Sequence, residues 1–350
     1  MESLDTMRLG IIGQPQSGKA TVFEALTGSV AADGNRQESR IGTITVPDAR
    51  VDILSGMYKP RKTIFAQVEY FLPGKGDHAA VAKKEQSIWT QVRDCDALIL
   101  AARNFSGYGL EAPSPKEDVA AINQELIISD LVVVEKRLER LALDERRGKK
   151  PIPEEIALLN RCKEALDREI PLRRFPDIAD AKLLRGFAFL SAKPMLILLN
   201  NDDENDALPE EATLPEGEVC MVIRAKLEQE LAQMSEDEAR EFLAEFNITA
   251  SATDRVIRRS YEMMGLISFF TVGEDEVRAW TIGRDTEAVD AAEVIHSDIK
   301  KGFIRAEVLA YEDLMAAGSH AEARKKGTVR LEGKTYKVLD GDIINFRFNV

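Results

Sequence analysis

The chain has 350 residues, of which 44% are hydrophobic and 31% are charged. This composition excludes collagen-like, low-complexity and wholly disordered proteins, and the length predicts two or three packed domains. The formal net charge of -13, from 47 basic and 60 acidic residues, argues against a protein that binds nucleic acid through its overall field.

The cysteine spacing and the lengths of the apolar runs indicate the cellular compartment of the protein. Cys95, Cys162 and Cys220 lie far apart and show no CxxC spacing, so neither a disulfide framework nor a zinc site is predicted. No apolar run approaches the roughly 20 residues that cross a bilayer. Residues Met1 to Arg8 are polar rather than signal-like. We therefore expect a cytoplasmic protein with no membrane segment.

The first predicted elements are a buried strand at Leu9 to Gly13, a turn, and a helix that starts near Thr21. The turn fits the pattern GxxxxGK between a strand and a helix. In this pattern backbone N–H groups surround the β-phosphate of a nucleotide, and Lys19 reaches the β- and γ-phosphate oxygens. The alternative is a tight strand–helix connection without a ligand. We assign phosphate binding to Gly13, Gln14, Pro15, Gln16, Ser17, Gly18, Lys19, Ala20 and Thr21.

Short apolar runs at Ala97 to Ala102 and Met195 to Leu199 predict inner strands of a parallel sheet. Between them lies a long, charged, helical region with apolar residues at alternating spacings of three and four. Its two apolar stripes are Leu131, Val134, Leu138 and Leu141, then Ile156, Leu159, Cys162 and Leu166. We predict two antiparallel helices that form a projecting hairpin. The alternative is that they pack flat on the main domain.

The composition changes again near Gly265. The chain then contains short β-like segments, which predict a separate small α+β domain. These segments are Phe269–Val272, Val277–Ile282, Ile304–Ala310 and Ile343–Phe348.

Several of these segments resemble the Obg-like ATPase (YchF) family. The resemblance begins with Gly10 to Pro15 and Phe23 to Thr27, on either side of the glycine-containing turn. It spans nearly the whole chain and is most specific near the C-terminus. The later matching segments are Val46–Asp52, Ser191–Pro194, Glu276–Ile282, Ile295–Asp298, Lys301–Val308 and Gly341–Val350.

This resemblance implies an α/β P-loop NTPase with a mostly parallel sheet flanked by helices, an inserted α-helical coiled-coil hairpin and a C-terminal β-grasp (TGS) domain. The implied bounds are 7–117 and 173–266 for the two parts of the G domain, 118–172 for the hairpin and 267–350 for the TGS domain. Family members bind ATP or GTP, hydrolyse it slowly and associate with ribosomes. We therefore expect a monomer that binds GTP or ATP and contacts the ribosome or rRNA through the hairpin and the TGS domain.

The magnesium positions depart from the family pattern. A P-loop hydrolase holds Mg²⁺ through the Ser or Thr after the lysine, a switch-I Thr and the Asp of DxxG. These positions fall here on Ala20, Arg36 and Leu72. Arg36 would either neutralise phosphate charge or be a solvated switch residue. We assign no metal ligand and no catalytic residue, and Mg²⁺ binding is placed in doubt.

The base-recognition segment is better preserved. Asn200 and Asp203 follow a predicted strand where G proteins carry NKxD and the family carries NxxE. A carboxylate there accepts hydrogen bonds from guanine N1 and N2. Asp203 therefore slightly favours GTP over ATP. A shift by one residue gives Asn201 and Glu204 instead, and an acidic loop cap is a further alternative.

A second loop completes the predicted base site. Ala225 and Lys226 match an SAK-type loop that packs against the base, whereas Arg224 departs from it. Near the C-terminus, Lys300, Lys301 and Arg305 form a basic cluster that would either touch rRNA phosphate or remain a solvated edge.

Two functions remain open. The first is a nucleotide-dependent regulator at the ribosome with weak or lost hydrolysis. The second is a degenerate, non-hydrolysing paralogue that serves as a protein or RNA interaction module. The intact Gly13–Lys19 loop favours nucleotide binding, whereas Ala20, Arg36 and Leu72 favour the second function.

Overall fold

A computed structural model describes residues 6–29, 38–74, 88–107, 109, 111–208, 218–235, 238–239 and 251–349. Arg36 lies outside these residues. Within them, no helix is long and apolar enough to cross a membrane.

The strands and helices alternate along most of the chain. The strands are β1 (Thr6–Ile12), β2 (Arg40–Thr45), β3 (Lys62–Ile64), β4 (Gln67–Leu72), β5 (Ala97–Asn104), β6 (Met195–Asn201), β7 (Val219–Ile223), β8 (Leu266–Val272), β9 (Glu276–Gly283), β10 (Phe303–Ala310), β11 (Arg330–Glu332) and β12 (Asp342–Phe348). The helices are α1 (Lys19–Thr27), α2 (Ala49–Tyr58), α3 (Pro115–Arg146), α4 (Pro153–Asp167), α5 (Pro176–Ala179), α6 (Ala225–Leu231), α7 (Ala252–Met263), α8 (Ala288–Ile295), α9 (Ser297–Lys301), α10 (Tyr311–Ala317) and α11 (His320–Lys325), with 3-10 turns at Leu172–Arg174 and Lys182–Phe187.

The chain divides into two compact units. One comprises Arg8–Gly42 and Tyr70–Thr253, and the other comprises Met1–Met7, Thr43–Glu69 and Asp254–Val350. The segment Thr43–Glu69 therefore belongs with the C-terminal part of the chain, whereas the sequence assigned it to the first part of the G domain.

The first sheet has the strand order β2-β4-β1-β5-β6-β7. β1 runs parallel to β5, β5 to β6 and β6 to β7. The apolar runs of β5 and β6 are buried along nearly their whole length, as expected for inner parallel strands. Since parallel strands end at the same edge, the loops that follow β1 and β6 are brought together there.

The two long helices have two packing partners. The first part of α3 packs on the parallel sheet through Val119, Ile122 and Leu126. Farther along, Val134 and Leu141 of α3 share a core with residues of α4 and the segment that follows it. The predicted apolar stripes are therefore confirmed as the seam between the helices. The residues of α4 in this core are Leu159, Cys162, Ala165 and Leu166.

A buried carboxylate fixes the chain just before β6. Asp130, on α3, is fully buried and accepts hydrogen bonds from Leu190 N at 3.0 Å and Ser191 N at 2.7 Å. The guanidinium of Arg93 lies 3.4 Å away. Burial raises the pKa of Asp130 in spite of these favourable contacts. Asp130 thus links the helix to the segment that leads into β6, the strand that carries Asn200.

The C-terminal unit contains a mixed sheet of order β11-β10-β12-β8-β9-β3. One face of this sheet packs on α8, with Phe269, Trp280 and Phe346 in the core. Strand β3 is contributed from far earlier in the chain and pairs in parallel with β9, Thr63 opposite Val277.

Arg50 of α2 strengthens the attachment of this early segment. Its Nη1 lies 2.7 Å from the Asp340 carboxylate, and it also pairs with Asp48. Its guanidinium stacks over the Phe270 ring, 5.0 Å from the centroid. Asp340 in turn accepts a hydrogen bond from Ser268 N. These contacts bind α2 to the C-terminal sheet.

Replacing Asp130 should destabilise the protein strongly. Asp130→Ala leaves two buried amides without an acceptor, and a loss of about 3–5 kcal/mol in the free energy of unfolding is expected. Asp167→Ala is the control, because the Asp167 side chain is exposed and, among the described residues, pairs only with Lys163, so the change should alter stability by roughly 0.5 kcal/mol or less. Urea unfolding followed by circular dichroism measures both. Equal midpoints for the two variants would contradict the anchoring role.

Candidate functional site

The loop between β1 and α1 has the geometry of an anion-binding turn. Gly13 and Gly18 both have positive φ, 149° and 85°, and Gly18 caps α1 at its N-terminus. Gln16 also lies in the left-handed region, at φ 64°. A non-glycine residue there stores backbone strain, which is a common feature of functional loops. The loop and the helix N-terminus together direct backbone N–H groups to one place.

Neither glycine has room for a side chain. A Cβ on Gly13 would lie 2.4 Å from the carbonyl oxygen of Ala101, and one on Gly18 would lie 2.3 Å from Nδ2 of Asn200. The hydroxyl of Ser17 is buried in the same loop and has no hydrogen-bond partner in the part of the chain that the structure describes. Both positions therefore require glycine, Gly13 because of a neighbouring backbone carbonyl and Gly18 because of the Asn200 side chain.

Lys19 bends back over the loop that precedes it. Its Nζ donates to the carbonyl oxygens of Gly13 at 2.8 Å and Gln14 at 2.6 Å. The ammonium group is thus held against the backbone of the glycine loop. Two further loop residues, Pro15 and Gln16, are exposed.

Asn200 connects this loop with the second predicted loop. The side chain is 5% exposed, and its Nδ2 donates to Ser17 O at 3.2 Å. Its Oδ1 accepts from Ala225 N at 3.1 Å. The carboxamide therefore fixes the end of β6, the glycine loop and the start of α6 relative to one another.

Asn201 has a different environment. Its Nδ2 donates to the carbonyls of Asn205 and Ala207, and its Oδ1 accepts from Asn104. Asn201 therefore organises its own loop and the end of β5, whereas Asn200 contacts the glycine loop. This geometry favours the register that begins at Asn200.

Asp203 lies beside the start of α6. Its Oδ1 accepts a hydrogen bond from Leu227 N at 3.2 Å, and its backbone carbonyl accepts one from Nη1 of Arg224 at 3.4 Å. Asp203 Oδ2 makes no hydrogen bond to any residue that the structure describes. Asp203 is therefore partly a loop cap, the alternative that the sequence left open, and retains one oxygen for a ligand.

Ala225 and Lys226 begin α6. Ala225 is fully buried, and Lys226 is exposed at the helix surface. Arg224, at the departing position of this loop, is 9% exposed. The structure thus brings Asn200, Asp203 and Ala225 together around the glycine loop.

The predicted magnesium positions offer no side-chain oxygen as a ligand. Ala20 is exposed in the first turn of α1, and Leu72 is 8% exposed at the end of β4. Thr21 follows Ala20, and one step along a helix turns its hydroxyl by about 100° from the Ala20 direction. The residues present at these positions do not fit Mg²⁺.

Sequence reasoning missed a charged cluster behind the loop. Glu24, on α1, accepts from Arg40 Nη1 at 2.8 Å and from Gln229 of α6. The Arg40 guanidinium also stacks over the Phe23 ring, 4.5 Å from its centroid. This cluster ties β2 and α6 to α1. No sequence signal marks it, because its members lie far apart in the chain.

Comparisons with known proteins agree with this arrangement. A family model described as "YchF-GTPase_C: Protein of unknown function (DUF933)" matches residues 266–349. The "Ribosome-binding ATPase YchF" of Bacillus subtilis is 36% identical, and the alignment covers 97% of this chain and 99% of that protein. The protein of the same name from Escherichia coli is 33% identical, with 98% and 99% covered.

Solved structures support the same fold. The Schizosaccharomyces pombe YchF GTPase has a TM-score of 0.81 and 28% identity, and 97% of each chain is covered. A GTP-binding protein from Pyrococcus horikoshii has a TM-score of 0.62 at 19% identity, with 98% of this chain and 100% of that one covered. At that identity the second likeness concerns the fold alone. The P-loop fold predicted from the sequence is confirmed.

The two possible base-reading registers give different mutant phenotypes. Asp203→Asn keeps an oxygen for Leu227 N but replaces the remaining carboxylate oxygen by an N–H donor. It should lower GTP affinity relative to ATP by about tenfold, the value of one hydrogen bond to a charged group. Glu204→Gln is the matched control and should leave the ratio unchanged. Calorimetric titration with GTP and with ATP measures this ratio of affinities. A changed ratio in the control alone would favour the Asn201 register.

Proposed function

Because the chain belongs to the YchF family, we propose that it binds ATP or GTP at the Gly13–Lys19 loop and regulates its association with ribosomes through that nucleotide. The observation that carries the proposal is the loop itself, whose two glycines have no room for a Cβ and whose carbonyl at Ser17 is held by Asn200. The relatives in B. subtilis and E. coli are named as ribosome-binding ATPases.

Each part of the loop has a defined task in this proposal. The triphosphate supplies the anionic oxygens, and backbone N–H groups of the Gly13–Lys19 loop, in which Pro15 has none, bind them. Lys19 exchanges its two carbonyl partners for phosphate oxygens, which are stronger acceptors. Asn200 and Asp203 orient the base, and Ala225 and Lys226 pack beside it.

Hydrolysis is weak or lost in this proposal. A Mg²⁺ ion held at the Ala20 and Leu72 positions by oxygen ligands would supply the positive charge that stabilises the phosphates during phosphoryl transfer. The side chains of Ala20 and Leu72 have no oxygen for that metal. Binding tolerates this loss better than turnover does, because accurate positioning matters most in the transition state.

The second candidate is a non-hydrolysing interaction module that uses nucleotide statically or not at all. The same pair, Ala20 and Leu72, favours it. Under both candidates the partner is the ribosome or rRNA, reached through the hairpin α3–α4 and the TGS domain at residues 267–350, and the protein acts as a cytoplasmic monomer. A nucleotide titration of the purified chain, with and without Mg²⁺, separates the two.

Lys19 should carry a large share of the nucleotide affinity. Lys19→Ala removes the cation of the phosphate cradle and is expected to weaken triphosphate binding by about ten- to a hundredfold. Lys136→Ala, an exposed position on α3, removes the same charge elsewhere and should have no effect. Isothermal titration with ATP and GTP gives the dissociation constants. A wild type that binds and a Lys19→Ala variant of equal affinity would refute the assignment.

Nucleotide affinity should be nearly insensitive to Mg²⁺, and phosphate release should be slower than in relatives with all three ligands. Ala20→Ser alone should recover little activity, because Leu72 still lacks a carboxylate. The double variant Ala20→Ser with Leu72→Asp is the informative one, measured by phosphate release against Mg²⁺ concentration. Robust Mg²⁺-dependent release by the unmodified protein, abolished by Lys19→Ala, would show that other residues hold the metal.

A further inference from the structure

An unusual group of charges lies on the C-terminal sheet, on the face opposite α8. Side chains alternate along β10, so Ala306 and Val308 point into the core while Arg305 and Glu307 point to the other face. Glu307 is only 6% exposed, yet it pairs with Arg347 of β12 and Arg324 of α11. His320 lies 3.7 Å from the same carboxylate.

Arg305 lies beside this group and adds to its positive charge. It is paired directly opposite Arg347 across the antiparallel strands β10 and β12. Like charges in that position destabilise a sheet. Arg305 is exposed and has no hydrogen bond or ion pair to a residue that the structure describes. Two guanidinium groups therefore share the Glu307 carboxylate, and a third, that of Arg305, lies opposite Arg347 without an ion pair to a described residue. This arrangement has a cost in stability that folding alone does not require.

Two acidic side chains of the neighbouring elements already have basic partners of their own. Glu322 of α11 is paired with Lys325 at 2.6 Å, and Glu332 of β11 lies 3.9 Å from Arg330. The side chains of Arg324 and Arg347 remain 60% and 53% exposed. The N–H groups of Arg324 and Arg347 that do not contact Glu307 are thus available to a ligand, while the buried Glu307 carboxylate fixes both guanidinium groups.

The sequence analysis grouped Arg305 with Lys300 and Lys301, but the two lysines have acidic partners in the structure. Lys300 pairs with Glu293 and, at 3.0 Å, with Asp290, and Lys301 pairs with Asp298 at 3.2 Å. Their charges are locally balanced, so of the three residues Lys300, Lys301 and Arg305, only Arg305 belongs to an excess of positive charge.

We propose that Arg305, Arg324 and Arg347, the arginine face, bind the phosphate backbone of RNA. The proposal rests on the ribosome association proposed above and names the surface that makes the contact. Guanidinium groups match phosphate oxygens bidentately and are weakly hydrated, which suits them to this ligand. Adjacent arginines on neighbouring strands fit the closely spaced charges of a nucleic-acid strand and carry no base specificity.

Glu307 is a positioning residue in this proposal. Burial would raise the pKa of Glu307, but hydrogen bonds from Arg347 and Arg324 outweigh it and hold that pKa below its ordinary value. The carboxylate therefore stays ionised and keeps both arginines in fixed orientations, which reduces the side-chain entropy lost when a phosphate binds.

Charge reversal of Arg305 tests the arginine face against a matched control. Arg305→Glu and Lys301→Glu change the net charge equally, on the same unit of the chain. Each variant of the full chain is tested with purified bacterial ribosomes by cosedimentation, and with a fluorescent single-stranded RNA and a polyglutamate of matched charge by anisotropy. Salt is varied in every case.

Arg305→Glu should weaken ribosome and RNA binding about tenfold or more and lower the slope of log affinity against log salt by about 1, whereas Lys301→Glu should do neither. The thermal midpoint of Arg305→Gln should not fall below that of the wild type, because a like-charge pair is relieved. Loss of stability together with unchanged RNA binding would make the cluster structural and overturn the proposal.

The remaining outcomes separate the two proposals. If Arg305→Glu and Lys301→Glu weaken ribosome binding equally, the proposal of the arginine face is overturned, whereas the proposal of ribosome association is not. Binding of naked RNA that depends on Arg305, without ribosome binding, supports the face and overturns ribosome association. No binding to either overturns both. Tighter, Arg305-dependent binding of polyglutamate than of RNA would assign the face to an acidic protein.

Discussion

The carboxamide of Asn200 is the contact on which the candidate site depends. It ties the carbonyl of Ser17 to the amide of Ala225, so that loops from three places in the sequence share one fixed geometry. The contact is possible only because Gly18 has no side chain, since a Cβ there would lie 2.3 Å from the Asn200 nitrogen. The second glycine of the motif thus serves the neighbouring loop as well as the phosphate cradle, a constraint beyond the usual need for backbone freedom.

Much of the fold followed from local patterns, because inner strands and paired helices leave periodic apolar signals. The runs at Ala97 and Met195 became β5 and β6, and the two apolar stripes became the seam between α3 and α4. Strand β3 could not be predicted, because its three residues carry no pattern and its partner β9 lies about two hundred residues away. The grouping of Thr43–Glu69 with the C-terminal unit rests on that pairing and on Arg50, and both are long-range.

The candidate site was predictable to a similar extent and for the same reason. The glycine loop is a contiguous motif, so its residues could be identified one by one. The choice between Asn200 and Asn201 depends on which carboxamide faces the loop, a matter of strand register that sequence alone leaves open. The double role of Asp203, and the cluster of Glu24 with Arg40, arise from contacts between distant segments. Such contacts leave no local trace in composition or periodicity.

An acidic chain and an RNA-binding face are compatible, because screening limits the reach of each charge to about 10 Å at ordinary ionic strength. At that range the sum over the whole chain matters less than which carboxylates lie beside each cation. Lys300 and Lys301 form ion pairs with such neighbours, and Arg305 forms none with any residue that the structure describes. The carboxylate of Glu307 under the arginine face is buried and already shared by two guanidinium groups, so it orients them without cancelling the positive charge of the face. The acidic remainder of the surface then disfavours nonspecific contact with nucleic acid. Under the proposal, RNA therefore binds at the arginine face rather than elsewhere on the protein.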